Sequence, residues 1–324
     1  KALKDDYRVF LVVQRGNVVE QKFIDFISEN GLNLVLLKGN LYHRLNAFYK
    51  FLKNENIEVI FSYLPSDNFW SGIIGKMTRV QFLVGGIRSI KLPFHKYPII
   101  KFLHLFVHDY TIFNSYSAYQ RFVRKGFTRK KSVVLTNCIE LIPSPTVRNQ
   151  NERVKILTVA RFTNQKDYYT ALKSIQHFLK NFNPGNILIH YQIVGFGVLE
   201  DRIRQWIHDL DLLDYVTLLI NPSNISELYK NADIYLSTSI FEGFSNSIME
   251  AMNHSLPVVA TDVGDNNMLV LNKKTGYLTP KYDFKTIAEH LDDLIQSPEK
   301  RNLYGEAGYH LLKAKCSIDS FRNN

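Results

Sequence analysis

The sequence predicts an α/β protein made of two doubly wound, Rossmann-like domains that face a central cleft. Short runs rich in β-branched and aromatic residues alternate with segments of helical spacing, and this alternation stops once and then resumes. Length agrees, because 324 residues exceed the roughly 250–300 that a single core usually holds.

Six strands are predicted in the first half, at residues 7–13, 32–39, 57–64, 80–87, 110–115 and 131–138. Segments of helical length separate them. In the segment at 18–30, Phe23, Ile24 and Ile27 share one helical face. Strands joined by helices form parallel βαβ units, so this half is predicted to be one doubly wound domain.

An inter-domain linker is predicted at residues 140–154, where Pro143, Pro145 and a polar run interrupt the alternation. The expected domains are 1–142, which binds the acceptor, and 143–324, which binds the donor. Strands are predicted in the second domain at 154–160, 187–195, 215–220, 232–239, 256–262 and 276–279. Ligands of such sheets bind at the carboxyl ends of the strands, so functional motifs should follow strands.

Charge is segregated between the halves. The net charge is +10, yet residues 1–150 contain 22 Lys and Arg against 10 Asp and Glu, whereas residues 151–324 contain 18 against 20. A basic half suits a polyanionic partner such as nucleic acid or an anionic membrane. Two cysteines, Cys138 and Cys316, predict a reducing compartment rather than a disulfide framework. With no apolar run of membrane-spanning length, a cytoplasmic location is expected.

The stretch FEGFSNSIMEAM, at 241–252, places Glu242 in a loop after a predicted strand and Glu250 just inside the following helix. Ser245 or Asn246 is a suitable N-cap. The first turn of a helix attracts phosphate, and carboxylates accept hydrogen bonds from vicinal hydroxyls. The alternative is that both glutamates only complement the helix dipole.

Cations follow another predicted strand, in ILTVARFTNQKDY. Arg161 and Lys166 could bind a diphosphate and stabilise the charge it gains as a leaving group. In IVGFGVLE, Gly195 and Gly197 would let the backbone approach a ligand closely. Arg161 and Lys166 alone are more typical of a solvated turn, and a lone GxG motif is weak evidence. Together with the two glutamates, these motifs predict a site for a phosphate-linked sugar.

These motifs, with EGFxNxxxEAM and LPVVATDVG, resemble the C-terminal half of retaining glycosyltransferases of family 4, which have the GT-B fold. The resemblance covers about residues 154–295 and, more loosely, 114–140. It implies a front-face retaining transfer with no obligatory metal or other cofactor, and a nucleotide-sugar donor, UDP-sugar by family frequency. It assigns Arg161 and Lys166 to the diphosphate, Glu250 to the ribose and Glu242 to the transferred sugar. The backbone that would touch sugar and phosphate is that of Gly243, Phe244, Ser245 and Asn246.

The sequence departs from the family pattern in four places. Residues 253–255 replace a glycine turn, a change expected to matter little to the chemistry, and residues 265–268 replace a Gly-x-Pro-Glu run near the donor. A double glycine is reduced to Gly16, and a histidine after the fourth strand is replaced by GGIRS. Arg88 is therefore predicted to bind an acceptor phosphate.

Cations and bulky apolar residues are interleaved in RSIKLPFHKYPIIKFLHLF, at 88–106, and six more cations lie at 121–131. This pattern is typical of docking to an anionic membrane. It favours a lipid-linked or glycan acceptor in cell-surface polysaccharide assembly, with the protein peripheral on the inner face of the plasma membrane. The alternative for residues 88–106 is a partly buried helix with a solvated charged face. The alternatives for the protein are a transferase with a small soluble acceptor, a GT-B epimerase or phosphorylase, and a nucleic-acid-binding protein. The pair Asp209 and Asp211 is interpreted as surface, so no metal site is predicted.

Overall fold

The computed structural model describes residues 6–16, 19–90, 92–145, 153–182 and 187–322. The chain divides into two compact units, Lys1–Leu135 and Thr136–Asn324. Both units alternate strands and helices, and each predicted strand overlaps a strand of the structure. The α/β class is therefore confirmed. The unit boundary lies a few residues before the predicted boundary at 142.

The Lys1–Leu135 unit contains parallel strands in two sheets. Within its described residues, one sheet pairs β1 with β2, and the other has the order β3-β4-β5-β6. The strands are β1 Phe10–Val13, β2 Asn33–Leu36, β3 Val59–Ser62, β4 Phe82–Ile87, β5 Tyr110–Phe113 and β6 Ser132–Val134. The helices are α1 Gln21–Glu29, α2 Leu41–Asn54, α3 Pro65–Thr78, α4 Tyr97–Phe102 and α5 Tyr116–Arg124, with a π-helical turn at Leu103–Val107 and 3₁₀ turns at Phe94–Lys96 and Arg129–Lys131.

A buried histidine anchors the core of this unit. His104 is fully buried, with Nδ1 2.8 Å from Thr111 Oγ1. The backbone N–H of Thr128 donates to His104 Nε2 over 2.9 Å. Since Nε2 must carry a lone pair to accept this bond, the imidazole is neutral. Burial, and then the charge of Lys131, lower the pKa of His104 from 6.5 to about 4.

The Thr136–Asn324 unit has a parallel sheet with strand order β12-β11-β10-β7-β8-β9 among its described residues. The strands are β7 Arg153–Val159, β8 Leu188–Gly195, β9 Val216–Ile220, β10 Ile234–Ser237, β11 Val258–Thr261 and β12 Gly276–Thr279. The helices are α6 Tyr168–Asn181, α7 Glu200–Asp209, α8 Ile225–Lys230, α9 Asn246–Asn253, α10 Asn266–Leu269, α11 Phe284–Gln296, α12 Pro298–Cys316 and α13 Ile318–Arg322, with a 3₁₀ turn at Asn164–Lys166.

The central strands of this sheet are covered on both faces. Every residue of β10 and β11 is buried, as expected for parallel strands between two helical layers. Apolar clusters lie on the two sides, one including Ile156 and Leu236 and the other including Leu157 and Tyr235. This packing fixes the strand ends from which the functional loops leave. Among the described helices of the whole chain, none has both the length and the apolar character to cross a bilayer.

Candidate functional site

The loops that carry most of the predicted site residues leave one edge of the Thr136–Asn324 sheet. β7 lies between β8 and β10. The chain passes from β7 through β8 to β9 on one side, and from β10 through β11 to β12 on the other. Sheets of this kind bind ligands where the winding reverses, outside the carboxyl ends of the strands. The loops after β7 and β10 flank that point.

A largely buried ion pair joins these two loops. Lys166 Nζ lies 2.5 Å from Glu242 Oε1, and the two side chains are only 16% and 10% exposed. The buried hydroxyl of Ser239 donates to the same oxygen over 2.7 Å. Both donors converge on Oε1. The other oxygen of Glu242 receives no hydrogen bond from a described side chain.

Gln165 and Thr238 fasten the same loops. The Ile240 N–H donates to the Gln165 carbonyl, and Gln165 Nε2 donates to the Phe241 carbonyl, both over 2.8 Å. Thr238 Oγ1 lies 2.9 Å from the Lys166 carbonyl oxygen. These bonds hold the ion pair in place before any ligand arrives. Neither Gln165 nor Thr238 was predicted, because each acts through its neighbours in space.

Arg161, in the same loop after β7 as Lys166, supplies an uncompensated positive charge. Its side chain is exposed and makes no ion pair or hydrogen bond with a described residue. The Tyr168 hydroxyl holds its turn by donating to the Ala160 carbonyl over 2.9 Å. Because Lys166 is paired with Glu242 and Arg161 has no such partner among the described residues, Arg161 is a cation of this loop that is free to meet an anion.

The predicted glycine loop packs against the turn that carries Arg161. Gly195 has φ +155°, and a Cβ there would lie 2.0 Å from the Ala160 carbonyl oxygen. A Cβ on Gly197 would lie 2.6 Å from the Phe162 carbonyl oxygen. The loop after β8 is thus brought against the loop after β7, as predicted. The packing accounts for both glycines without a ligand, so their contact with a donor stays a prediction.

Helix α9 begins at the predicted place. Ser245 occupies the N-cap position with extended backbone angles, but it makes no side-chain capping bond. Its hydroxyl instead lies 3.3 Å from that of Ser247. Asn246, the first helical residue, accepts a hydrogen bond of 2.6 Å from Asn137 Nδ2. The absence of a side-chain cap leaves the first-turn N–H groups available to an external acceptor.

Glu250 lies one turn into α9 and is engaged by a residue that was not predicted. The buried Tyr229 hydroxyl donates to Glu250 Oε2 over 2.9 Å. Burial raises the pKa of the Glu250 carboxyl, and the bond from Tyr229 partly opposes this rise. Glu250 and Glu242 therefore differ in surroundings, since one is paired with a cation and the other with a neutral phenol.

The structure shows what lies at two of the places where the sequence departs from the family pattern, residues 253–255 and 265–268. Asn253 bonds the inter-domain linker, donating to the Glu140 carbonyl over 3.0 Å and accepting from the Ile142 N–H over 3.1 Å. It thus tethers the chain as well as ending α9. At the second departure, the Asp265 N–H donates to the Gly243 carbonyl over 3.1 Å, which places residues 265–268 beside the Glu242 loop.

Gly16 and Arg88, the remaining predicted residues, lie in the Lys1–Leu135 unit. Gly16 packs against β2, where a Cβ would lie 2.8 Å from Leu36 Cβ. Arg88 follows β4 and lines a mainly apolar pocket of about 120 Å³ at the carboxyl ends of β3 and β4. The pocket is also lined by Tyr63, Leu64, Pro65, Asn68, Gly86, Ile87, Ser89, Leu92 and Ile100. Contact of Gly16 or Arg88 with a ligand stays a prediction.

The basic segment that follows Arg88 is half-buried, with an apolar outer face. Ile100 and Leu103 are buried, whereas Ile99, Phe102 and Phe106 are 46%, 56% and 69% exposed. The rings of Phe102 and Phe106 are in contact at 5.1 Å. We call these three exposed residues the apolar stripe. Lys91, a cation in the predicted segment, lies outside the described residues.

The family model for glycosyl transferases group 1 matches residues 144–311. This match covers about half of the chain and contains every loop of the site described above in the Thr136–Asn324 unit. The chain belongs to the glycosyl transferases group 1. The resemblance to a glycosyltransferase is therefore confirmed at the level of this family.

Curated relatives of this group 1 glycosyltransferase align over the same half. An uncharacterized glycosyltransferase of Haemophilus influenzae is 30% identical over 177 residues, which are 54% of this chain and 49% of that protein. The capsular polysaccharide biosynthesis glycosyltransferase CapM of Staphylococcus aureus is 28% identical over 176 residues, 52% of this chain and 43% of its own. The chain thus spans about half the length of the curated relatives it matches.

Solved structures extend the comparison to the whole fold. HepE of Anabaena, crystallised with UDP and glucose, superposes with a TM-score of 0.84 and 16% sequence identity, over 99% of this chain and 92% of that one. Sucrose-phosphate synthase of Thermosynechococcus elongatus superposes with a TM-score of 0.78 and 17% identity, over 99% of this chain and 88% of its own. The GT-B fold, with two Rossmann-like domains, is thereby confirmed for this chain.

Proposed function

We propose that this chain is a retaining glycosyltransferase of family 4 that moves a hexose or N-acetylhexosamine from a UDP-sugar to a lipid-linked or glycan acceptor in cell-surface polysaccharide assembly. The observation that carries the proposal is the buried Lys166–Glu242 pair, with the exposed Arg161 in the same loop as Lys166, at the switch point of a parallel sheet. The names of the capsular polysaccharide biosynthesis glycosyltransferase CapM of Staphylococcus aureus and the amylovoran biosynthesis glycosyltransferase AmsK of Erwinia amylovora support a role in polysaccharide assembly. The UDP bound by HepE supports the donor.

The charges of the site suit a sugar diphosphate. Arg161 binds the diphosphate, and the first turn of α9 donates to it through backbone N–H groups. Lys166 offsets the charge of Glu242, so this carboxylate can accept hydrogen bonds from the sugar without repelling the phosphates. Glu250 accepts from the ribose hydroxyls.

The transfer step makes use of the same groups. The bond between the sugar C1 and the diphosphate oxygen breaks, and its electron pair stays on that oxygen. The acceptor oxygen bonds to C1 on the same face, and its proton passes to the departing phosphate, so the anomeric configuration is retained. Arg161 and Lys166 stabilise the diphosphate most when it carries its full charge.

Calorimetry with UDP, GDP and ADP, followed by transfer assays with the matching sugar nucleotides, tests the donor site. We expect UDP to bind, and we expect Arg161→Gln to lower turnover by about 10²–10³-fold, as removal of one charge-stabilising contact typically does. Lys230→Gln is the matched control, because Lys230 is an exposed cation of the same unit that ends α8 just before β10 begins, at the opposite edge of the sheet. Unchanged UDP binding and turnover in Arg161→Gln would remove the site assignment.

We extend the proposal to the Lys1–Leu135 unit. The apolar stripe inserts into an anionic membrane, and exposed cations of the same unit, such as Lys96, Arg121 and Lys125, bind lipid headgroups. Arg88, beside its apolar pocket, binds the acceptor phosphate. This arrangement supports a lipid-linked acceptor and a peripheral position on the inner face of the plasma membrane, because neither an exposed apolar stripe nor segregated charge is needed for a small soluble acceptor.

Vesicle co-sedimentation tests the membrane surface. The wild-type chain should sediment with vesicles of phosphatidylcholine and phosphatidylglycerol, but not with phosphatidylcholine alone. Phe102→Ser combined with Phe106→Ser should abolish sedimentation, whereas Tyr42→Ser, which replaces a 73% exposed ring on α2, should not. Equal sedimentation of the double variant would exclude the stripe. Competition by a single-stranded oligonucleotide at physiological salt would instead favour nucleic-acid binding.

A further inference from the structure

Tyr229 is a buried phenol whose hydroxyl reaches the candidate ribose site. It lies near the end of α8, is 1% exposed, and donates to Glu250 Oε2 over 2.9 Å. The Ser247 carbonyl oxygen lies further away, at 3.4 Å. Burial, Tyr235 and the charge of Glu250 raise the pKa of the Tyr229 hydroxyl well above its ordinary value. The phenol therefore keeps its proton and remains a donor.

The ring of Tyr229 is held from two sides. His254 stacks on it, with centroids 5.4 Å apart and an angle of 18°, and Tyr235 packs against it at 5.8 Å. His254 is itself fixed, since its Nδ1 lies 2.9 Å from the Glu250 carbonyl oxygen and its Nε2 lies 3.2 Å from Ser226 Oγ. The hydroxyl thus has little freedom to leave the carboxylate.

We propose that Tyr229 is a positioning residue that orients the Glu250 carboxylate so that both of its oxygens can accept from a vicinal diol of the donor. The inference rests on the proposed role of Glu250 in binding the ribose. A carboxylate offers about four lone-pair directions. Tyr229 occupies one of those on Oε2, which fixes the carboxylate plane and leaves the directions that two neighbouring hydroxyls require.

Loss of the Tyr229 hydroxyl should weaken discrimination between nucleotides with and without the vicinal ribose hydroxyls, an effect that a merely structural role would not produce. Wild-type protein should bind UDP about tenfold more tightly than 2′,3′-dideoxy-UDP, which lacks the vicinal hydroxyls. Tyr229→Phe should lose most of this preference, binding UDP about tenfold more weakly and dideoxy-UDP unchanged, as expected when one hydrogen bond to a charged group is lost. Tyr191→Phe is the matched control, because it removes a fully buried hydroxyl that bonds Thr158.

Calorimetry with both nucleotides gives distinguishable outcomes. Unchanged UDP affinity in folded Tyr229→Phe, or equal loss for both nucleotides, would overturn the positioning role while leaving the donor site intact. Equal binding of the two nucleotides by the wild type would overturn the ribose assignment and the inference with it. Failure of the wild type to bind UDP would overturn the UDP donor and this inference with it.

A second measurement does not depend on the folding of Tyr229→Phe. With 3-fluorotyrosine introduced at position 229, the ¹⁹F resonance should shift on addition of UDP and stay unmoved with dideoxy-UDP. If the ¹⁹F chemical shift is unchanged by both nucleotides, under conditions in which calorimetry shows UDP bound, the inference would be overturned. A shift that is the same for both would overturn it as well.

Discussion

Breaking the Lys166–Glu242 pair one partner at a time separates its structural role from its chemical role. Lys166→Met leaves a carboxylate that is nine-tenths buried, with Ser239 as its remaining side-chain donor. Removing one partner of a buried ion pair costs about 3–5 kcal/mol, because the other charge is left unpaired in a poorly solvated place. Glu242→Gln keeps an acceptor for the Ser239 hydroxyl but leaves the ammonium of Lys166 without its counter-charge, so a similar loss in the free energy of unfolding is expected.

The double variant removes both charges together. Since no unpaired charge remains, its free energy of unfolding should lie within about 2 kcal/mol of the wild-type value. The two single variants together should lose about 6–10 kcal/mol, so the coupling energy between the two sites should be at least about 4 kcal/mol. Transfer should behave differently. If Lys166 stabilises the leaving diphosphate and Glu242 holds the sugar, both single variants and the double variant should lose turnover by at least about 10²-fold.

Urea unfolding followed by circular dichroism, together with initial rates of sugar transfer, checks both parts. The control cycle uses Arg204 and Glu200, an ion pair of the same unit with a distance of 2.9 Å and side chains that are 52% and 32% exposed. That pair should show a coupling of only about 0.3–0.5 kcal/mol. Recovery of turnover in the Lys166→Met, Glu242→Gln double variant would show that the pair only fastens loops. Additive stabilities would show that the pair is not coupled.

Two further predictions concern the stability of each unit. Below pH 6.5 the unfolded chain protonates His104, whereas the folded chain, with a His104 pKa of about 4, does not. The free energy of unfolding should therefore fall by roughly 3 kcal/mol as the pH is lowered from 6.5 to about 4. Urea titrations of His104→Gln should show a flatter dependence of this free energy on pH. In α12, Gly308→Ala should raise the melting temperature, because the nearest atoms would lie 3.7 Å away and alanine favours helix by about 1 kcal/mol. Gly305→Ala should lower it, because its Cβ would lie 2.0 Å from the Ser255 carbonyl oxygen, and a rise in both variants would contradict this packing argument.

The strands of the fold could be predicted one by one from local pattern. The runs that gave β10 and β11 are apolar and β-branched, and both strands are fully buried as parallel central strands must be. The motif residues could also be placed, because a loop after a parallel strand lies at one known edge of the sheet. Arg161, Lys166 and Glu242 follow β7 and β10, and strand order alone makes these loops neighbours.

The pairing inside the site could not be predicted. Nothing in the sequence shows that Lys166 contacts Glu242, 76 residues later, or that Ser239 joins them on one oxygen. Gln165 and Tyr229 could not be singled out from the sequence either, because a glutamine in a turn and a tyrosine near a helix end are common and indicate no particular contact. The change at residues 253–255 was expected to matter little to the chemistry, and the two bonds of Asn253 to the linker emerged only in three dimensions.

The sequence by itself determined which strands form, where their carboxyl ends lie and which charged groups stand there, because hydrophobic periodicity and chain order are local properties. Tertiary structure alone decided which charges cancel and which remain free. Lys166 offsets Glu242 and leaves Arg161 uncompensated, whereas Glu250 receives a neutral donor from Tyr229. Charge balance depends on distances of a few ångströms between loops that are far apart in the chain, and only the packing of the sheet and its helices sets those distances.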